Sequence, residues 1–461
     1  MKDDVKGFDV YHDAPNGCAR GEMKDGAMHD TAKKRKKALP SGVTYNDFYA
    51  YMPQHVYIFV PTRETWPASS VNSRLPPVIV GEKTISASKH LDKTRPVEQM
   101  TWAPGEPMLI EDRLLADGGW IERPGVNSFN LYRAPIIKPG DAKQASPWLD
   151  HIRHIYPDEA NEIVRWLAHR VQRPNEKINH ALVLGGAEGI GKDTLLAPVK
   201  VAVGPWNFAE ASPQQVLGRF NAFIKSVILR INEGRDLGDV NRYAFYDHTK
   251  CIIAAPPDVL PVDEKHLRVY SVPNITGVIL TTNYKTGGLY LPPDNRRHFV
   301  AWSTRVKEEF EGTPYFPDLW HWYRSDGIEH VAAYLQTLDI SDFDPQAPPR
   351  KTPAWWDIVD SNRAPEDAEL SDVLDRLGNP DAVTLLDIIL EGSDSDFVEW
   401  MRDRKNRRLI PHRFEQAGYV AVRNDTAKDG LWKIKDKRQV VYAKATLSVA
   451  EQVKAAWKMI Q

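Results

Sequence analysis

The sequence predicts an α/β fold, and three observations carry that expectation. The first is the stretch HALVLGGAEGIGKDTLL, from His180 to Leu196, where a brief apolar run meets a cluster of glycines and then a helical pattern. The second is a pair of later apolar runs that read as buried strands, FIKSVILRI from Phe223, followed by Asn232 and Glu233, and GVILTTN from Gly277, ending at Asn283. The third is helical periodicity from Trp148 to Arg173, with Ile152, Ile155, Ile163, Leu167 and Val171 at spacings of three, eight and four.

Within the first stretch, Ala181 to Leu184 reads as a strand, and Gly186-x-x-x-x-Gly191-Lys192 follows. Glycines at 185, 186, 189 and 191 let the backbone turn so that successive N–H groups face one concavity. At the N-terminus of a helix starting near Lys192, that concavity is a phosphate cradle, with Lys192 reaching the β and γ phosphates of a nucleoside triphosphate. Gly186, Gly189, Gly191, Lys192, Asp193 and Thr194 are the candidate ATP-binding residues of this P-loop. Asp193 departs from the usual Ser or Thr after the lysine, with Thr194 one place later; a carboxylate is also a hard oxygen ligand for Mg2+.

Composition bounds the rest. With 461 residues, 42% of them apolar, the chain suits two or three domains with sizeable cores. Lys plus Arg is 60 against 62 Asp plus Glu, so any polyanionic partner must be met by local basic patches. Two cysteines, Cys18 and Cys251, exclude a disulfide framework and a cysteine-rich zinc site, which fits a reducing cytoplasm. Neither a secretory signal nor an apolar run of bilayer length is present, so no membrane partner is expected.

In chain order, residues 1–42 lack apolar periodicity and contain the cluster Lys33, Lys34, Arg35, Lys36 and Lys37. They read as a flexible basic tail, either merely solvated or an arm that touches DNA phosphates. Residues 43–140 alternate short strand-like runs with turns, among them Val56–Val60, Pro77–Val80 and Met108–Ile110, and form a small β-rich module. A Pro- and Gly-containing linker, Pro135 to Pro147, leads into the helical segment 148–175, either a collar used in oligomerisation or ordinary core packing. Residues 176–345 hold the ATPase core.

In that core the strand Phe223–Ile231 is followed by Asn232 and Glu233. An acidic pair at a strand end is where such an ATPase keeps its metal-binding carboxylate and the glutamate that activates water, so Glu233 is the candidate general base. Asn232 stands where Asp is usual, so the carboxylate at 193 and the amide at 232 are read as one exchange; the candidate magnesium ligands are Asp193, Asn232 and Glu233. A further strand, CIIAAPPDV, is expected from Cys251. Asn283, at the end of GVILTTN, suits a sensor that polarises the attacking water. Arg296 and Arg297 suit a finger entering a neighbouring subunit's site, an effect on the order of 10³ to 10⁵ in rate where present. Lys265 and His266 fall at a hairpin tip, either solvated or, in a ring, lining a pore that grips DNA.

Taken as a set, Gly186 to Lys192, Asn232-Glu233, Lys265-His266, Asn283 and Arg296-Arg297 resemble the superfamily three helicases, and the flanking text is similar to phage and prophage primase-helicase proteins. KINHALVLGGAEGIGKDTLL, FYDHTK, EKHLRVYSVPN and LPPDNRRHFVAW carry the likeness, over residues 100 to 355. The resemblance implies an AAA+ type core, a homo-hexameric ring, and ATP- and Mg2+-dependent unwinding of single-stranded or forked DNA in the host cytoplasm. It also implies phosphate binding by Lys192, water activation by Glu233, sensing by Asn283, a finger from Arg296 or Arg297, and DNA contact by Lys265 and His266. A separate primase or polymerase is an expected partner, because the first 140 residues are too short for a primase domain and show no metal-binding carboxylate pair on a strand.

Residues 355–461 follow the Pro-rich PQAPPRKTP. Helices from Pro365 to Trp400, a basic stretch Arg402–Arg413, and strands around a charged turn form a C-terminal α+β domain with the pattern of a winged helix. Lys433 and Lys435, on or near the wing with Lys437 and Arg438, are its candidate DNA contacts; the alternative is a solvated cap. The whole reading is an ATP-dependent DNA helicase, against an ATP-gated initiator or interference factor that binds DNA without unwinding it.

Overall fold

Strands that are apolar along their whole length lie parallel and are covered on both faces, and the centre of the chain follows this rule. In the computed structural model, which describes residues 42–232, 238–285, 288–361, 365–392 and 395–460, five parallel strands form one sheet. Their spatial order is Phe208–Ala211, Ile228–Asn232, Gly277–Thr282, Ala181–Gly185, His298–Trp302. Ala181–Gly185 is buried at every residue and is paired on both sides, Leu182 facing Ile279 on one and Phe299 on the other. The basic cluster at 33–37 and the candidate base Glu233 lie outside the described residues. No helix among the described residues is long and apolar enough to cross a membrane.

The helical pattern from Trp148 is two helices, Ser146–Ile155 and Ala160–Gln172. Pro157 restricts Tyr156 to a non-helical backbone, which divides them. Trp148, Ile152, Ile155, Ile163 and Leu167 are buried in the same core as the sheet. Two strand expectations are corrected. The run from Phe223 begins as a 3-10 turn, Ala222–Ile224, and becomes strand only at Ile228–Asn232. Cys251 to Ile253 end the helix Gly238–Ile253 rather than open a strand, since Phe245, Tyr246, Ile252 and Ile253 recur at helical spacing on a buried side. Pro256 and Pro257 stop that helix, and the strand starts at Val259. There Val259–Val262 pairs antiparallel with Tyr270–Pro273, a hairpin whose tip is residues 263–269.

Before the core, the strands Phe48–Tyr51, Val56–Phe59, Glu64–Pro67 and Pro96–Val97 make a sheet used on both faces. Phe48, Ala50 and Tyr57 pack on the helices Ala68–Arg74 and Ala87–Thr94, while Tyr51 and Ile58 join the main core. After the core, Ala382–Thr384, Val441–Lys444 and Tyr419–Val422 form a three-stranded sheet beside helices that enclose Leu370, Val373, Ile388 and Phe414. The hairpin Trp432–Ile434 with Lys437–Gln439 packs through Trp432 and Ile434 into a second small core.

One detail of the helix after the glycine loop shows how its geometry is maintained. The helix Lys192–Ala202 contains Pro198, whose missing N–H leaves the Thr194 carbonyl without its helical partner. The Tyr323 hydroxyl, on a fully buried side chain, donates to that carbonyl at 3.0 Å. Tyr323→Phe should therefore cost about 1–3 kcal/mol by leaving a buried carbonyl unmet. Urea denaturation checks this, and adding Pro198→Ala, which restores the helical N–H, should recover much of the loss.

Candidate phosphate site at the glycine-rich loop

The strands Ala181–Gly185, Ile228–Asn232 and Gly277–Thr282 are parallel, so their carboxyl ends lie side by side, where open α/β sheets bind ligands. A cleft of about 640 Å³ opens there, lined by Glu188, Gly189, Gly191, Lys192, Asp193, Thr194, Arg230, Asn232, Thr281 and Asn283 among others. The structure thus brings together the glycine-loop residues, Asn232 and Asn283.

Gly191 carries φ of +95°, and a Cβ there would come within 2.6 Å of the His151 ring. His151 Nε2–H donates to the Gly191 carbonyl at 3.0 Å, which leaves Nδ1 to accept from the Tyr315 hydroxyl at 2.9 Å. Burial holds the His151 pKa below its usual value, so the ring stays neutral in this role. The Tyr156 hydroxyl donates to the Gly185 carbonyl at 3.1 Å, and the Trp148 indole N–H to the Leu195 carbonyl at 2.9 Å. The helices upstream of the core therefore brace the loop from behind.

Lys192 Nζ donates to the carbonyls of Gly186 and Ala187 and to Asn283 Oδ1, each at 2.7 Å. Burial pushes its amine down to about 8, opposed by Asp193 and reinforced by Arg230. Thr194 is buried, and the Thr281 hydroxyl donates to Asn232 Oδ1 at 2.9 Å. Asp193 is paired with Arg230, a contact that motif reading missed. The alternation of ILRIN, which sets Arg230 and Asn232 on one face of their strand, was the available signal. His151 and Tyr323 had no such signal, being distant in sequence from the loop they support. Among the described residues no group of three or more His, Cys, Asp and Glu side chains is arranged to hold a metal.

The other candidate residues lie elsewhere. Arg296 and Arg297 precede His298, which pairs with Ala181 at the opposite end of the sheet from the loop. Strand rise of about 3.3 Å per residue puts roughly 13 Å between those ends, and neither arginine is among the residues that line the cleft. Lys265 and His266 are exposed at the hairpin tip, as the spacing predicts. The tip is held from the N-terminal module: Gln54 Nε2 donates to the His266 carbonyl at 3.4 Å and Gln54 Oε1 accepts from the Arg268 N–H at 3.3 Å. Lys433 pairs with Asp436 at 3.0 Å, while Lys435 stands at the hairpin turn with φ of 48° and has no described acidic partner.

Against known proteins, residues 184–297 match a family profile described as a family of unknown function, DUF5906. No curated protein matches the sequence. Among solved structures, the apo C-terminal region of NrS-1 aligns with a TM-score of 0.54 at 15% identity, over 86% of this chain and 95% of that one. The A form of the same region gives 0.55 at 14% identity, over 86% and 96%. A weaker likeness, TM-score 0.29 at 10% identity over 51% of this chain and 65% of the other, is to JCV helicase. The NrS-1 likeness shows a shared mixed α/β fold.

Three histidines buried around the sheet's other end give the core a pH signature. Burial lowers His169 and His298 to about 3 and His180 to about 4, with Arg170 adding to the effect on His169 and Arg297 to that on His298. All three are neutral when folded and take a proton when unfolded below the usual 6.5, so stability is full above that pH and falls as pH drops toward 4. The loss is on the order of 1 kcal/mol per pH unit per histidine. Denaturant titrations at pH 7, 6 and 5 should show it, with a shallower slope for His298→Gln.

Proposed function

We propose that this chain is an ATP-hydrolysing DNA helicase whose core is a P-loop ATPase of the AAA+ type. The observation that carries the proposal is the convergence on Lys192: a lysine at a helix N-terminus, beside a glycine loop, shares its ammonium with Asn283 at the end of the adjacent strand. A γ-phosphate held by Lys192 would therefore meet an amide placed to sense it. Glu233, next after Asn232 in the chain, is assigned as the base that takes the proton of the attacking water. The position of Arg296 and Arg297 at the far end of the sheet supports a role in trans, a second copy's cleft receiving one of them, and with it the homo-hexameric ring. Asp193, Thr194 and Asn232 offer a carboxylate, a hydroxyl and an amide oxygen at the cleft, a donor set that suits Mg2+ alongside phosphate oxygens. Bound there, the metal would offset charge on the phosphate chain.

Outside the core, the readings are a β-rich module over 43–140, a helical collar over 148–175, and a winged-helix-like DNA-binding domain over 355–461 with Lys433 and Lys435 on its wing. The exposed Lys265 and His266 are assigned to the DNA strand in the pore, and the setting is replication of a phage or prophage in its host's cytoplasm. A second reading, an ATP-gated initiator that does not unwind, is favoured by one observation: Gln54 restrains the hairpin tip that a translocating enzyme has to move.

Hydrolysis of ATP with and without single-stranded DNA, alongside fork unwinding, separates the two. In the helicase, DNA stimulates hydrolysis, Glu233→Gln and Lys192→Ala each lower it by 100-fold or more, on the scale of lost general-base catalysis, and Lys265→Ala abolishes unwinding while DNA binding persists. Hydrolysis without unwinding, unaffected by Lys265→Ala, would establish the initiator instead.

A further inference from the structure

The charges at the mouth of the cleft are not laid out as a site organised around a metal alone. On the strand Ile228–Asn232, the terminal residue is an amide, and two residues earlier on the same face stands Arg230, its side chain only 13% exposed. The guanidinium pairs with Asp193, lies 3.4 Å from Thr281 Oγ1 and 3.5 Å from Glu210 Oε1. Thr281 in turn donates to Asn232 Oδ1 at 2.9 Å. Contacts thus run unbroken from Asp193 through Arg230 and Thr281 to Asn232, linking the helix N-terminus to the strand end. A fixed cation occupies the ground between the two positions from which a magnesium ion would draw its protein oxygens.

The two ends of this chain of contacts differ in strength. Arg230 is nearly buried and always charged, whereas the Asp193 side chain is 79% exposed and keeps water around most of its carboxylate. An ion pair with one solvated partner is weak. Phosphate oxygens offer the guanidinium a bidentate partner of higher charge, and Lys192 stands across the same cleft to share it.

We propose that Arg230 is a phosphate-binding residue that supplies positive charge to the nucleotide before a metal arrives, and that Asp193 is the latch it leaves. A triphosphate entering between Lys192 and Arg230 draws the guanidinium away from Asp193. The released carboxylate, adjacent to Lys192, is then free to serve as an oxygen donor to a divalent cation. Nucleotide therefore binds first and metal second, and the exchange of residue types at 193 and 232 has its reason in the arginine between them. The inference deepens the nucleotide-binding reading and rests on it.

Equilibrium binding of a fluorescent ATP analogue to the full chain, in excess EDTA and in Mg2+, provides the test. Wild type should bind in EDTA within about tenfold of its affinity in Mg2+. Arg230→Met should lose tenfold or more in EDTA, on the scale of a charge-assisted hydrogen bond, with Arg230→Lys between the two. Asp193→Asn, which removes the nearer of the guanidinium's two carboxylate partners and leaves Glu210 at 3.5 Å, should tighten binding in EDTA and shrink the gain from Mg2+; this variant keeps Arg230 in place and decides the matter if Arg230→Met proves unfolded by thermal melting. Wild-type binding that appears only with Mg2+, or Asp193→Asn binding no tighter than wild type in EDTA, would overturn the proposal. Absence of binding in both conditions would remove the nucleotide-binding reading itself, and this inference with it.

Discussion

Everything at the cleft depends on one buried strand. Ala181–Gly185 is hydrogen-bonded to a parallel neighbour on each side and closed off from water along its length, so it has a single register in which its apolar residues are covered. Its last residue has to be glycine, because a Cβ at Gly185 would sit 2.1 Å from the Trp302 ring, and the chain turns immediately after it at Gly186, where φ is +138°. The turn that follows, and the helix it starts, inherit their position from the strand. Lys192 reaches three oxygens at equal distances because two of them belong to this turn and the third to the next strand in the sheet.

At the far end of the sheet another buried ammonium performs a different task. Lys177 Nζ donates to Asn274 Oδ1 at 3.0 Å and to the Thr276 carbonyl at 2.8 Å, and it also meets the Ile252 carbonyl. Burial holds its amine well below the usual value. These acceptors lie at the end of the helix Gly238–Ile253 and just before the strand Gly277–Thr282, so one side chain fixes where that strand begins and, by its length, where Asn283 falls. A buried cation with only neutral acceptors is costly unless each donor is met, and here three acceptors meet it.

The sequence revealed the parts of this arrangement that are local in the chain. Strand, glycine loop and helix follow one another without interruption, so their chemistry could be read from HALVLGGAEGIGKDTLL alone. The hairpin bearing Lys265 and His266 was legible too, since its strands are consecutive. What was not legible depended on contacts across the fold. His151 and Tyr323 lie far along the chain from the loop they brace, and no periodicity marks them. The run CIIAAPPDV misled because isoleucines suit a buried strand and a buried helix end equally well; only Phe245 and Tyr246, a turn and more upstream, decide for the helix. Arg230 was hidden in plain sight, since an arginine inside an apolar strand reads as an exception until its partners are known.

The grip of Gln54 on the hairpin tip has a mechanical meaning. Two long hydrogen bonds, at 3.3 and 3.4 Å, join a half-buried side chain to the backbone of a loop more than two hundred residues away. Such bonds exchange readily with water, so they hold a loop at rest yet give way under modest load. The same short loop is also tied to the core, where Asp263 pairs with Arg219 at 2.8 Å, Glu264 pairs with Lys225 at 2.7 Å and Leu267 packs against the buried cluster, so the tip has two anchors and the N-terminal module is the one that water can loosen.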